Sequence, residues 1–128
     1  MGCYLIDFEN VNNKGLEGWK SLSKSDKVIV FYSDSASTID IDFSLDCKAK
    51  VKLIKAITGT ANALDFQLVG YLFYKLNKKK KYFIISKDNG YTAILEMAKK
   101  YGACVSVHKS IVEACTFDNK KGSITNFM

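Results

Sequence analysis

Residues 82–91 read Tyr82-Phe83-Ile84-Ile85-Ser86-Lys87-Asp88-Asn89-Gly90-Tyr91. An apolar run stops at a serine, and a polar turn leads into a helical pattern over 90–101 carrying Tyr91, Ile94, Leu95 and Ala98. A strand that is apolar at nearly every position is covered on both faces, as in a parallel sheet between helical layers. The runs 3–7, 28–32, 51–56 and 103–107 have the same character. Between them lie helical patterns over 15–24 (Leu16, Trp19, Leu22), 36–47 (Ile39, Phe43) and 61–77 (Leu64, Leu68, Leu72, Leu76). Gly102 is placed to cap the 90–101 helix, and 109–116 forms a last short helix. Strands alternating with helices predict an α/β fold with a parallel sheet and right-handed crossovers. The expected organisation is a single domain over 1–128 with a loosely held tail, 118–128.

The acidic residues fall where such a sheet exposes its working edge. Asp7 ends the run Tyr4-Leu5-Ile6, Asp88 follows Ser86, and Asp34 lies just beyond Tyr32-Ser33. Sites in open parallel sheets form at the carboxyl ends of strands, near the point where strand order reverses. Asp65 interrupts the apolar segment Ala63-Leu64-Asp65-Phe66-Gln67-Leu68-Val69. On a helix it shares a face with Leu68, Val69, Leu72 and Leu76, so it points from the first turn toward the strand ends. A helix-capping arrangement, Asn62-x-x-Asp65, accounts for Asp65 alone. Asp88 alone fits a turn or an N-cap. Carboxylates in such places cost stability unless something cationic receives them. Three together suggest one shared cation. With Glu9 and Asn10 beside Asp7, the donors are oxygens, which suit Mg²⁺ or Mn²⁺ rather than zinc.

Composition narrows the class. With 19 Lys and Arg against 13 Asp and Glu, the 128-residue chain has a net charge of +6, which favours a polyanionic partner. The four cysteines, Cys3, Cys47, Cys104 and Cys115, show no C-x-x-C spacing. They read as reduced thiols of a cytoplasmic protein. The chain opens on a strand, so no signal peptide is expected, and no apolar run reaches the roughly 20 residues of a membrane span. Phosphate-loop, G-x-S-x-G and G-x-G-x-x-G patterns are absent. His108, the one histidine, is expected at the surface after the fifth strand.

The blocks Leu5-Ile6-Asp7-Phe8-Glu9-Asn10-Val11, Asn62-Ala63-Leu64-Asp65-Phe66-Gln67-Leu68 and Ile84-Ile85-Ser86-Lys87-Asp88-Asn89-Gly90-Tyr91 resemble the three acidic blocks of PIN-like domain ribonucleases, nearest to the NYN-type and related bacterial branch. The resemblance covers about residues 3–107. It implies a three-layer α/β/α fold of about five strands in the order 3-2-1-4-5. It also implies Mg²⁺- or Mn²⁺-dependent cleavage of single-stranded or structured RNA. Asp7, Asp65 and Asp88 match the family's catalytic and metal-holding aspartates, and Asn10 matches the asparagine three positions after the first. Glu9, Asn10 and Asp34 are further candidates for the metal shell, with Asp40 and Asp42 as alternatives for a fourth acid. Many relatives carry an acid after the third block, where this chain has Gly90, Tyr91 and Thr92.

Substrate-binding candidates are Asn10, Lys14, Lys55, Asn62, Ser86 and Lys87. Phe8, Tyr32 and Tyr91 lie close enough to the acidic blocks to stack unpaired bases, although each by itself fits a core position better than a platform. The run Lys78-Lys79-Lys80-Lys81 ends the 61–77 helix roughly 20 Å from Asp65, at ~1.5 Å per residue, and reads as a solvated helix terminus. The expected activity is RNA phosphodiester hydrolysis. The alternatives are a non-catalytic module binding RNA or protein, and a phosphohydrolase acting on a small metabolite. A homodimer or a regulatory protein partner is compatible with either role; a membrane partner is not expected.

Overall fold

The computed structural model describes residues 2–33, 38–57 and 62–126, with side chains described up to residue 119. Five strands, β1 (Gly2–Asp7), β2 (Lys27–Tyr32), β3 (Lys50–Lys55), β4 (Lys81–Ile85) and β5 (Cys104–His108), form one sheet in the order β3-β2-β1-β4-β5. Every pairing is parallel. This is the three-layer α/β/α arrangement expected. β1 is central and buried along its whole length. The chain leaves β1 toward β2 and β3 on one side, then returns to place β4 on the other. Strand order therefore reverses between β1 and β4, which opens a crevice at their carboxyl ends.

The helices are α1 (Phe8–Leu16), α2 (Ile41–Asp46), α3 (Ala63–Lys75), α4 (Thr92–Lys100) and α5 (Ile111–Asn126). Alternate residues of each strand feed opposite faces of the sheet. On one face Tyr4, Ile6, Val28, Val30, Phe83 and Ile85 pack with Phe8, Val11, Phe43 and Ile111 from α1, α2 and α5. On the other, Leu5, Ile29, Phe31 and Ile84 pack with Leu64, Leu68 and Leu72 of α3 and with Tyr91, just before α4. No described helix is long and apolar enough to cross a membrane.

Several boundaries differ from the sequence reading. The helix expected over 15–24 starts instead at Phe8, directly after β1, and only a 3₁₀ turn, Trp19–Ser21, remains of the later stretch. Burial of Phe8, Val11 and Leu16 drives the earlier start, overriding the poor helix propensity of the asparagines. Asn12 breaks the helix with φ 53° and ψ −153°. Gly18 ends this region at φ +100°, where an added Cβ would lie 2.7 Å from the backbone nitrogen of Val112. Of the helix expected over 36–47, residues 36–37 lie outside the described residues and the rest is shortened to α2. Asp40 starts it by accepting a hydrogen bond from the Asp42 amide at 2.9 Å. The last helix runs to Asn126, well past 116. The expectation that all strands are covered on both faces fails for β3, an edge strand on which Lys50, Lys52, Leu53 and Lys55 are exposed. His108 is the last residue of β5 rather than a surface residue after it. It is half-buried, with Nε2 2.8 Å from Ser106 Oγ and its ring near Phe83 and Phe117. Gly102 does cap α4, at φ +73°: its amide bonds to Lys99 O at 3.0 Å and the Ala103 amide to Ala98 O at 3.0 Å, a Schellman closure.

Candidate active site

Asp7 closes β1 and Ser86 follows β4, so the two stand side by side at the crevice. Both are almost wholly buried, at 3% and 2% exposure. Ser86 Oγ lies 3.0 Å from Asp7 Oδ2 and accepts the Asp88 backbone amide at 3.0 Å. Asn10, one turn into α1, accepts the Lys87 amide through Oδ1 at 2.6 Å and lies 3.3 Å from Ser86 Oγ. The turn after β1 is thereby fastened to the turn after β4. Asp88 accepts the Gly90 amide at 2.8 Å and so initiates the 3₁₀ turn Asn89–Tyr91 that leads into α4.

Tyr91 joins the remaining parts. Its ring is buried in the core beneath α3 and α4. Its hydroxyl lies 3.1 Å from Asp65 Oδ1 and 3.3 Å from Asp7 Oδ2. Asp65 occupies the first turn of α3, and Asp88 is close enough that its charge and a shared hydrogen bond both push Asp65's pKa up. Asp7 and Asp65, from separate parts of the chain, thus meet at one phenol, with Asp88 near enough to act on Asp65.

The electrostatics are those of crowded negative charge. Burial pushes the Asp7 carboxyl up to about 6; the Ser86 hydrogen bond opposes this, and the charge of Asp65 adds to it. Asp65 is also raised, by burial first; the Tyr91 hydrogen bond opposes the shift and Asp88 reinforces it. Burial, then the charges of Asp7 and Asp65, raise Tyr91 so that it stays a neutral donor. A phenol has one proton, so it can donate to only one of two carboxylates at a time. When the phenol donates to Asp65, Asp7 keeps the Ser86 hydroxyl as a donor.

The donor set fits a hard divalent cation in chemistry. It offers three carboxylates, an amide oxygen and hydroxyls, and the ion pair found among the described residues, Lys81–Asp118, lies at the other end of β4. It is not a ready-made cage. No three His, Cys, Asp or Glu side chains among the described residues are gathered tightly enough to hold an ion, because the Tyr91 hydroxyl stands between Asp7 and Asp65.

Other expected residues lie elsewhere or do other work. Glu9 Oε1 accepts the Ser33 amide at 2.7 Å, tying α1 to the end of β2. Asp34 lies outside the described residues. Asp40 caps α2, and Asp42 lies in the first turn of that helix. Asn62 adopts a left-handed conformation, φ 62°, and makes no side-chain cap, so the Asn62-x-x-Asp65 capping arrangement does not form. Lys14, Lys55 and Lys87 are exposed; Lys55 ends β3 and Lys87 follows Ser86 at the carboxyl-end rim, whereas Lys14 lies in the last turn of α1. Two residues escaped the sequence reading. Asn13 donates to Thr38 O at 2.6 Å and accepts the Asp40 amide at 2.8 Å. Gln67 pairs with both backbone groups of Ile57, each at 2.9 Å. The signal for Gln67 was a polar side chain two residues after Asp65 in an otherwise apolar helix. For Asn13 it was the asparagine-rich block after β1.

The family model described as PIN domain matches residues 1–108. No curated protein and no solved structure gives a significant match to the chain.

Proposed function

The chain belongs to the PIN domain family, whose members are typically nucleases, and from that premise we propose that it is a metal-dependent endoribonuclease of the NYN-like kind, acting as one domain. The observation that supports the reading is that Asp7 and Asp65 share the Tyr91 hydroxyl at the crevice between β1 and β4, with Asp88 near enough to act on Asp65 and without a cationic side chain bonded to the three among the described residues. Family members generally use Mg²⁺ or Mn²⁺, and Asp7, Asp65 and Asp88 would hold the ion here, with Asn10 supporting the shell. Such an ion activates water and neutralises charge on the phosphodiester. The protein's own part is positional. Ser86 fixes the Asp7 carboxylate through Oδ2, Asn10 locks the two flanking turns together, and Tyr91 keeps Asp7 and Asp65 in register until they are bound. Lys55 and Lys87 on the rim, with exposed Lys14 on α1, meet substrate phosphates.

The test is cleavage of a mixed RNA pool with Mn²⁺, with and without chelator, for the wild type and Asp65→Asn. The wild type should cleave only without chelator, and Asp65→Asn should lose cleavage while keeping the fold by circular dichroism. Equal cleavage by Asp65→Asn rules the assignment out. A second reading, a non-catalytic RNA-binding module, is favoured by Tyr91 between the acids and by Gly90, Tyr91 and Thr92 where relatives carry an acid. Binding of RNA without metal-dependent cleavage selects it.

A further inference from the structure

At the pole opposite the carboxylates, the starts of β1, β2 and β3 and the segment entering β4 surround a cleft of about 410 Å³. Its walls carry Lys24, Lys27, Lys50, Lys75 and Lys80 against a single acid, Asp26. Asp26 is engaged with backbone: Oδ1 accepts the Gly2 amide at 2.8 Å and Oδ2 the Ser23 amide at 2.9 Å. None of the five lysines forms a salt bridge among the described residues, where the pair found is Lys81–Asp118. The thiol of Cys3 in the cleft wall is raised by burial and pulled back by Lys27 and Lys80, so those two ammonium groups act on one point. Like charges gathered on a concave wall repel one another and concentrate anions. Half-buried Tyr71 completes the wall with a ring face and a hydroxyl.

The cleft is aligned with the carboxylate site. β1 begins at the cleft with Gly2 and ends at Asp7, roughly 17 Å away at ~3.3 Å per residue. β1 itself is buried along its length, so a strand joining the two sites passes over the surface by a longer path. The exposed edge strand β3 joins the two poles with Lys50, Lys52 and Lys55. We propose that this cleft is a second phosphate-binding site, which holds the backbone of the RNA strand whose other end reaches Asp7, Asp65 and Asp88. The identity of the strand rests on the ribonuclease reading; the existence of an anion site does not.

The experiment measures binding separately from cleavage. Fluorescence anisotropy of a labelled oligouridylate is followed in chelator across a salt series. The proteins compared are the wild type, the triple variant Lys27→Gln, Lys50→Gln, Lys80→Gln, and a control pair, Lys99→Gln, Lys100→Gln, which removes charge outside the cleft. The triple variant should bind at least about tenfold more weakly. Its log–log salt slope should be shallower by about 2, at roughly 0.7 for each phosphate that the protein no longer neutralises. The control pair should stay within about twofold of the wild type. A triple variant that binds with the affinity and slope of the control overturns the site, whatever the cleavage assay shows. Displacement of the oligouridylate by AMP at equal concentration overturns the strand assignment in favour of a free nucleotide. Loss of cleavage in Asp65→Asn leaves both results untouched, so the two readings fail separately.

Discussion

Replacing Asp7 by Asn should make the protein more stable while removing its activity. Asp7 is 3% exposed and its carboxyl is raised from 3.8 to about 6 in the folded state. At 1.36 kcal/mol per tenfold change, ionising it in the fold costs ~3 kcal/mol. The folded value lies above the unfolded one. The penalty is therefore absent below pH 3.8, where both states are protonated, and complete once pH passes about 6. The Asn side chain keeps an oxygen to accept from Ser86 and Tyr91 and carries no charge. In chelator at pH 8, Asp7→Asn should gain up to ~3 kcal/mol, a Tm rise on the order of 10 °C. At pH 5 the gain should shrink to about half. Urea denaturation at both pH values measures it. A gain that is the same at pH 5 and pH 8, or a loss at pH 8, refutes the claim that Asp7's charge is the source of strain. Adding Mg²⁺ at pH 8 should stabilise the wild type, since a cation supplies what the proton otherwise does, and should do far less for the variant.

Removing the Tyr91 hydroxyl in Tyr91→Phe should cost ~1–3 kcal/mol of stability and tighten Mn²⁺ binding by calorimetry, because the group between Asp7 and Asp65 is gone; unchanged or weaker binding shows that the hydroxyl does not stand where the ion goes. Ser86→Ala takes a donor from Asp7 and an acceptor from the Asp88 amide, so it should cost ~1–3 kcal/mol and raise the Asp7 pKa further above its ordinary range, as read by carboxyl carbon NMR. Gly18→Ala combines positive φ with a close approach to the Val112 backbone and should destabilise by more than ~1 kcal/mol; a neutral result in thermal melts means that the Trp19 turn and α5 move apart freely.

The sheet was legible because five apolar runs carry no alternation, and burial on both sides of a central strand leaves no other pattern. The order 3-2-1-4-5 came from family resemblance, since nothing in the runs themselves says which is central. Asp65 was legible as an inward acid because Leu68 and Leu72 share its helical face. Other features depended on distances that no local pattern encodes. Phe8-Glu9-Asn10-Val11 has poor helix propensity, and only its burial against β1 and β2 makes it helical. Tyr91 read as a core ring or a stacking platform, and its ring is core, yet its hydroxyl is where Asp7 and Asp65 meet. Glu9 looked like a ligand until β2 was seen to end with an open amide at Ser33. A register one residue later in β5 carried His108 from the surface to a half-buried position between Phe83 and Phe117.

The amides that fasten the loops around the crevice have a consequence of their own. Asn10, Asn13 and Gln67 each hold backbone of a neighbouring segment with a side chain that carries no charge at any ordinary pH. When the acids at the centre gain or lose protons, or exchange a proton for an ion, these clamps feel no change in their own state. The segments these three amides hold are therefore fastened independently of the titration. Acidity tunes occupancy at the centre without loosening these clamps.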